Sequence, residues 1–209
     1  TTRVQKTRAT SLMQYLRTTL FGLKGYWEFT LEGFQKNAAS FDPQALNVSL
    51  QDKVMLVTGA NSGLGFETAK QLAGLNATVH LVCRSKERGE AAVAQIQDQL
   101  RANSNSAPKL FLHIVDLSDL VAVKQFAQSF ATQQQALHVL VNNAGALPNE
   151  RLETKQGLNY TFALNTMCGH ILTRALQPLL TKSGTADDPA RVITVSSGGM
   201  YTVPLWVDD

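Results

Sequence analysis

Three glycines fall within the eight residues Thr58-Gly59-Ala60-Asn61-Ser62-Gly63-Leu64-Gly65, between a short apolar run and a helical pattern. Glycine there lets the backbone turn tightly and approach a diphosphate, while the amino end of the following helix offers free N–H groups to the anion. The spacing is neither the G-x-G-x-x-G of the general dinucleotide turn nor a P-loop, since no Lys-Ser or Lys-Thr follows Gly65. A purely structural turn is the plain alternative. If a ligand is held, Gly59, Asn61, Ser62, Gly63, Leu64 and Gly65 are the residues expected to touch it. The next apolar run ends at Val82-Cys83-Arg84. An NAD site wants a carboxylate about 20 residues past the glycines to hold the ribose hydroxyls. Arg84 puts a planar guanidinium there, which suits a phosphate, so NADP(H) is expected in preference to NAD(H). A solvated arginine at a strand end is the alternative.

Three more run ends carry polar groups. Asp116-Leu117 closes the third, where Asp116 is placed to accept a hydrogen bond from an adenine amino group or to cap the next helix, a task open equally to Ser118 and Asp119. Asn142-Asn143-Ala144-Gly145 closes the fourth. Amides at such a place are costly unless bonded, so they clasp neighbouring strands, contact a cofactor, or do both. Leu117, Asn143, Ala144 and Gly145 therefore join Asp116 in the expected cofactor set. Ser196-Ser197 follows the fifth run.

The elements that must position these groups alternate. Apolar runs at Val54–Val57, Thr78–Val82, Leu110–Val115, Leu137–Val141 and Val192–Val195 are separated by helical spacing near 64–74, 86–101, 118–134 and 155–181, the first helix starting near Phe66. A strand that is apolar on both faces is buried in a parallel sheet and needs a crossover, so the expected fold is α/β, a doubly wound parallel sheet of the Rossmann-like kind, over residues 45–209. Each run, Val192–Val195 included, is expected to be buried. Ligands of such sheets bind beyond the carboxyl ends of the strands, where the polar groups above stand.

Residues 1–44 form a different region, a helical arm ending in a Phe41-Asp42-Pro43 linker. Leu12, Leu16, Leu20, Leu23, Trp27, Leu31 and Phe34 draw one stripe along a helix, which Gly22 and Gly25 are expected to break in two. Six basic residues against two acidic ones occur through Lys36, and no acidic residue precedes Glu28. Such a segment fits an anionic membrane surface, a mitochondrial transit-like leader, or packing on its own domain or a partner subunit. From Asn37 onward thirteen basic residues face fourteen acidic ones, which gives no electrostatic case for a nucleic-acid partner. Cys83 and Cys168 have no metal-ligand spacing and no sign of a disulfide framework, so a reducing intracellular compartment is expected and no metal. No apolar stretch approaches the ~18 residues of a spanning helix.

Taken in order at strand ends, Thr58-Gly-x-x-x-Gly-x-Gly65, Asp116-Leu117, Asn142-Asn-Ala-Gly145 and Val195-Ser196-Ser197 resemble the short-chain dehydrogenase/reductase family from about Lys53 to Ser197. The resemblance implies hydride transfer between a nicotinamide ring and an alcohol or carbonyl, here of a small lipophilic molecule. A tyrosine acts as general acid/base beside a lysine, a serine polarises the substrate oxygen, and a helix asparagine holds a relay water. Ser197 matches the serine and Asn165 the asparagine. Two features depart from the pattern. Cys168 stands where the family usually has glycine, with Gly169 one place late, so a less kinked backbone is expected around Asn165. The Tyr-x-x-x-Lys pair is missing: four residues after Tyr15, Tyr26, Tyr160 and Tyr201 stand Thr19, Thr30, Leu164 and Leu205. The expectation is a polypeptide that continues past Asp209, incomplete here at its carboxyl end. The alternatives are an inactive subunit of this fold in a larger assembly and a nucleotide sensor.

Overall fold

A computed structural model describes residues 2–101 and 107–202, and the side chains of residues 12 onward within them. The side chains of Arg3, Lys6 and Arg8, which supply half of the basic charge counted in the arm, lie outside that description. Two compact units are present, Val48–Val195 and a second made of Thr1–Asn47 with Ser196–Asp209.

In the first unit, β1 (Val54–Thr58), β2 (Thr78–Cys83), β3 (Lys109–Ile114), β4 (Val139–Asn142) and β5 (Arg191–Thr194) form one sheet in the order β3-β2-β1-β4-β5. Every pairing is parallel, as crossovers between apolar strands require. Successive residues face opposite sides of the sheet. Met55 and Val57 of β1 pack with Ala69 and Ala73 further along the chain and with Ile96, whereas Leu56 between them joins Phe130, Leu172 and Leu176 on the other side. The crossover helices divide accordingly. The pair α3 (Gly63–Gly74) and α4 (Lys86–Arg101) covers one face, and α5 (Leu120–Gln133) and α7 (Cys168–Ser183) cover the other. Leu56, Leu172 and Leu176 are fully buried, each stabilising the fold by about 1.5–3 kcal/mol. Because the chain runs from β1 outward to β3 and then returns to β4, the winding reverses between β1 and β4, which opens a crevice at their carboxyl ends.

Two expectations for this unit are corrected. β5 forms, but all four of its residues are exposed, and in β3 Phe111 and Ile114 are exposed too, because these are the two edges of the sheet, each paired on one side alone among the described residues and incompletely covered by helices. The helix after the glycines starts at Gly63 rather than near Phe66, so the last two glycines lie inside its first turn.

In the second unit, α1 (Thr2–Glu28) runs unbroken through Gly22 and Gly25, where a break was expected. A glycine costs only about 1 kcal/mol in a helix, too little to end one alone. The break comes instead at Thr30, whose hydroxyl accepts the Gly33 N–H at 3.3 Å and so caps α2 (Leu31–Ala38). Gly33 is required by this tight corner, since a Cβ there would run into the Trp27 carbonyl. The seven stripe residues are all exposed. After β5 the chain forms a short 3-10 turn, Gly198–Thr202, in which Gly198 leaves room for the rings of Phe21 and Phe29. Among the described residues no helix is long and apolar enough to cross a membrane.

Candidate functional site: a crevice at the carboxyl ends of β1 to β4

Thr58, the last residue of β1, is 1% exposed, and its hydroxyl is saturated. It accepts the N–H groups of Asn143 and Ala144, each at 2.9 Å, and donates to the Val141 carbonyl at 3.3 Å. Asn143 answers by donating its amide to the Thr58 carbonyl at 2.9 Å. The loop after β4 is thus tied to the turn after β1. That turn is tight: Gly59 has φ +67°, and a Cβ on it would sit 3.0 Å from Ala144 Cα. A Cβ on Gly65 would run into the Gly59 carbonyl and the Asn143 amide, so α3 can seat its first turn here only with glycine.

That first turn points donors into the crevice. The first hydrogen bond of the helix runs from the Phe66 N–H to the Ser62 carbonyl, which leaves the N–H groups of Gly63, Leu64 and Gly65 without intrahelical acceptors. Ser62 occupies the capping position, yet its hydroxyl makes no capping bond. The amino end of α3 is therefore an open anion cradle.

The cavity beyond it measures about 400 Å³, within the ordinary range for small-molecule sites. Every residue expected from the sequence to touch a cofactor lines it, save Gly63, whose place is the helix start itself. On one flank Arg84 and Arg88 contribute two guanidinium groups, with no carboxylate in ion-pair range among the described residues. Arg84 donates from Nη1 to the Tyr160 hydroxyl at 3.3 Å. On the floor, Asp116 Oδ1 accepts from the Ser118 N–H at 3.0 Å and from its hydroxyl at 2.7 Å. The cap of α5 is Asp119, which accepts the N–H groups of Ala122 and Val121; the Ala122 bond, then Gln156, Lys155 and the Val121 bond, hold its carboxyl below the usual range. Asp116 is thus not the helix cap. Cys83 also lines the cavity, but burial pushes its thiol up to about 11, and Cys168 is raised equally. Both stay protonated near neutrality and offer no thiolate nucleophile.

Asn165 is exposed and does not line the cavity. Its side chain accepts the Ala146 N–H at 2.9 Å and donates to the Ala146 carbonyl at 3.0 Å, pinning the loop that follows β4. The backbone around it is not regular, contrary to expectation. After α6 (Tyr160–Phe162) a π-helical segment, Ala163–Met167, leads into α7, so the distortion exists without glycine at 168. Cys168 donates its thiol to the Leu164 carbonyl at 2.8 Å, and Gly169 instead makes room for the Asn142 side chain. Ser197 belongs to the second unit, where its hydroxyl accepts the Gly199 N–H at 3.1 Å. Thr58, Arg88 and Tyr160 were not among the residues expected. Thr58 sits at a strand end and Arg88 one turn past Arg84, both visible cues, whereas nothing in the spacing marks Tyr160.

Comparison with known proteins places this geometry. Residues 53–207 match the family model for short chain dehydrogenases. Dehydrogenase/reductase SDR family member 12 of Homo sapiens is 43% identical over 197 residues, 94% of this chain and 59% of its own length. Retinol dehydrogenase 11 of Mus musculus is 37% identical over 74% of this chain and 46% of its own. Among solved structures, the Pseudomonas aeruginosa RhlG/NADP active-site complex superposes with a TM-score of 0.55 at 31% identity, over 69% of this chain and 54% of that one. The chain therefore spans from less than half to about three fifths of the length of these relatives.

Proposed function

This chain belongs to the short chain dehydrogenase family, and on that footing we propose that its crevice binds NADP(H) for hydride transfer to or from a lipophilic alcohol or carbonyl compound. The observation that carries the proposal is the junction of an open helix amino end, a glycine turn without room for a side chain, and two guanidinium groups that have no carboxylate in ion-pair range among the described residues. A dinucleotide fits this set. Gly59, Asn61, Ser62, Leu64 and Gly65 would surround the diphosphate, Arg84 the ribose phosphate, and Asp116 and Leu117 the adenine, while Asn143, Ala144 and Gly145 line the way inward. The nicotinamide ring supplies or accepts the hydride when the cofactor is bound. For this chain's own part, the α3 amino end neutralises the diphosphate, Thr58 and Asn143 fix the loop beside it, and Asn165 holds that loop through Ala146. Ser197 is the group proposed to donate a hydrogen bond to the substrate oxygen. No Tyr-x-x-x-Lys pair occurs in the 209 residues, so the proton transfer is assigned to no residue here.

The lipophilic substrate class is taken from the resemblance to retinol dehydrogenase 11. NADPH oxidation by the protein should be driven by long-chain aldehydes and ketones and not by small polar ones. Cofactor binding with no turnover on any carbonyl would instead favour the nucleotide-sensor reading. The exposed stripe of α1 and α2, with Arg17 and Lys24, is proposed to seat on an anionic lipid surface. Flotation with phosphatidylserine vesicles should be lost on deleting residues 1–36. Unchanged flotation would reject the lipid seat, and cleavage of the arm by isolated mitochondria would replace it with the leader reading.

A further inference from the structure

We infer that Tyr160 is a positioning residue for Arg84: its hydroxyl holds the guanidinium at the adenosine end of the crevice and thereby sets the preference for a 2′-phosphorylated nucleotide. The inference rests on the proposed NADP(H) site and names a determinant within it.

Arg84 stands exposed at the carboxyl end of β2, and its bond to Tyr160 is the one side-chain hydrogen bond recorded for it among the described residues. A free arginine side chain carries roughly 2 kcal/mol of rotamer entropy, much of which a ligand must remove on binding. Tyr160 comes from the opposite flank of the cavity, 76 residues further along the chain. Its ring is half-buried against the core on the α5 and α7 side of the sheet. Its backbone is fixed as well: the Tyr160 N–H donates to the Leu152 carbonyl at 2.9 Å, and the Asn159 side chain caps the short helix through the Phe162 N–H at 2.9 Å. A rigid phenol thus meets a mobile guanidinium. The contact at 3.3 Å uses one of the five guanidinium N–H donors and leaves the rest for a phosphate. The phenol keeps its own hydrogen, so it can donate to the same phosphate. Arg88, in the first turns of α4, lines this end of the cavity too and makes it a place for a dianion rather than for a ribose hydroxyl.

The test uses half-cofactors, which isolate the adenosine end from any chemistry. Titrations of 2′,5′-ADP and 5′-AMP compare wild type, Tyr160→Phe, Arg84→Lys and the double variant. Tyr160→Phe, which keeps the ring, should weaken 2′,5′-ADP by about three- to tenfold, the loss expected of one ordinary hydrogen bond at a solvent-exposed site, and leave 5′-AMP unchanged. On the Arg84→Lys background the same substitution should add little, because the lysine cannot keep the fork geometry. Equal weakening of both nucleotides would overturn the inference by making the hydroxyl a general wall of the pocket. So would no weakening of either, or full additivity in the double variant. If wild type binds 2′,5′-ADP no tighter than 5′-AMP, the NADP(H) preference itself fails. If Tyr160→Phe does not fold, Tyr160→Met, titrated with the same two nucleotides, decides: selective weakening of 2′,5′-ADP supports the inference, and equal weakening of both or of neither would overturn it.

Discussion

Replacing Thr58 by valine removes one oxygen and almost no volume, so it isolates what that hydroxyl does. Two backbone N–H groups, those of Asn143 and Ala144, lose their acceptor, and the Val141 carbonyl loses a weaker donor. Thr58 itself is 1% exposed, and the two donors beside it are partly buried. An unsatisfied donor in such a place costs about 1–3 kcal/mol, with the lower part of the range fitting groups that water can reach on loop movement. A loss of about 2–4 kcal/mol in the stability of the sheet unit follows. Urea denaturation followed by circular dichroism measures it as a lower midpoint at unchanged slope. Thr58→Ser keeps all three bonds and loses only a methyl group, so it should cost about 1 kcal/mol. NADPH affinity should fall in the valine variant as well, since the loop after β4 is no longer fixed. A valine variant as stable as wild type, or a serine variant as damaged as the valine one, would refute the clasp.

Other outcomes follow from the same geometry. His80, fully buried beside Phe130 and 2.9 Å from the His113 ring nitrogen, is pushed down to about 4 by burial and then by His113, and burial lowers His113 too. The folded state thus refuses protons that the unfolded chain accepts. Stability is complete above the ordinary histidine pKa and falls as pH drops from about 6.5 toward 4, by about 3 kcal/mol for His80 alone. His80→Leu should flatten that slope in urea midpoints taken between pH 7 and 4.5, and an unchanged slope would sink the assignment. Gly65→Ala forces a Cβ against the Gly59 carbonyl and should cost about 1–3 kcal/mol and abolish NADPH binding, whereas Gly63→Ala, strained at φ +57° but with open space, should cost less. Asn165→Ala loses both bonds to Ala146 at an exposed position, so about 0.5–1.5 kcal/mol is expected, read as faster hydrogen exchange at the Ala146 amide.

How much of this was legible beforehand depends on where the physics is local. The strands β1, β2 and β4 are largely apolar on both faces and buried, and that pattern has one stable solution, a covered parallel sheet, whereas β3, just as apolar in its run, lies at an edge with Phe111 and Ile114 exposed. The glycine turn was legible because only glycine tolerates φ +67° at Gly59 and the close approach at Gly65. Burial of β5 was misjudged because apolar content says nothing about whether a strand ends up at an edge. The helix distortion at Ala163–Met167 was misjudged because its cause was sought in one glycine, and it forms with cysteine at 168 and Gly169 one place later. Tyr160 was invisible for a plainer reason. Its contact with Arg84 joins residues 76 positions apart, and only the winding of the sheet brings them to one crevice.

Calorimetric titration of NADPH and of NADH into the purified protein, at one salt concentration, addresses the crevice itself. Both nucleotides should bind, NADPH the more tightly, and the difference should shrink in Arg84→Gln while NADH binding stays unchanged. Failure of NADPH to bind, or tighter binding of NADH, would contradict the assignment of this site to NADP(H).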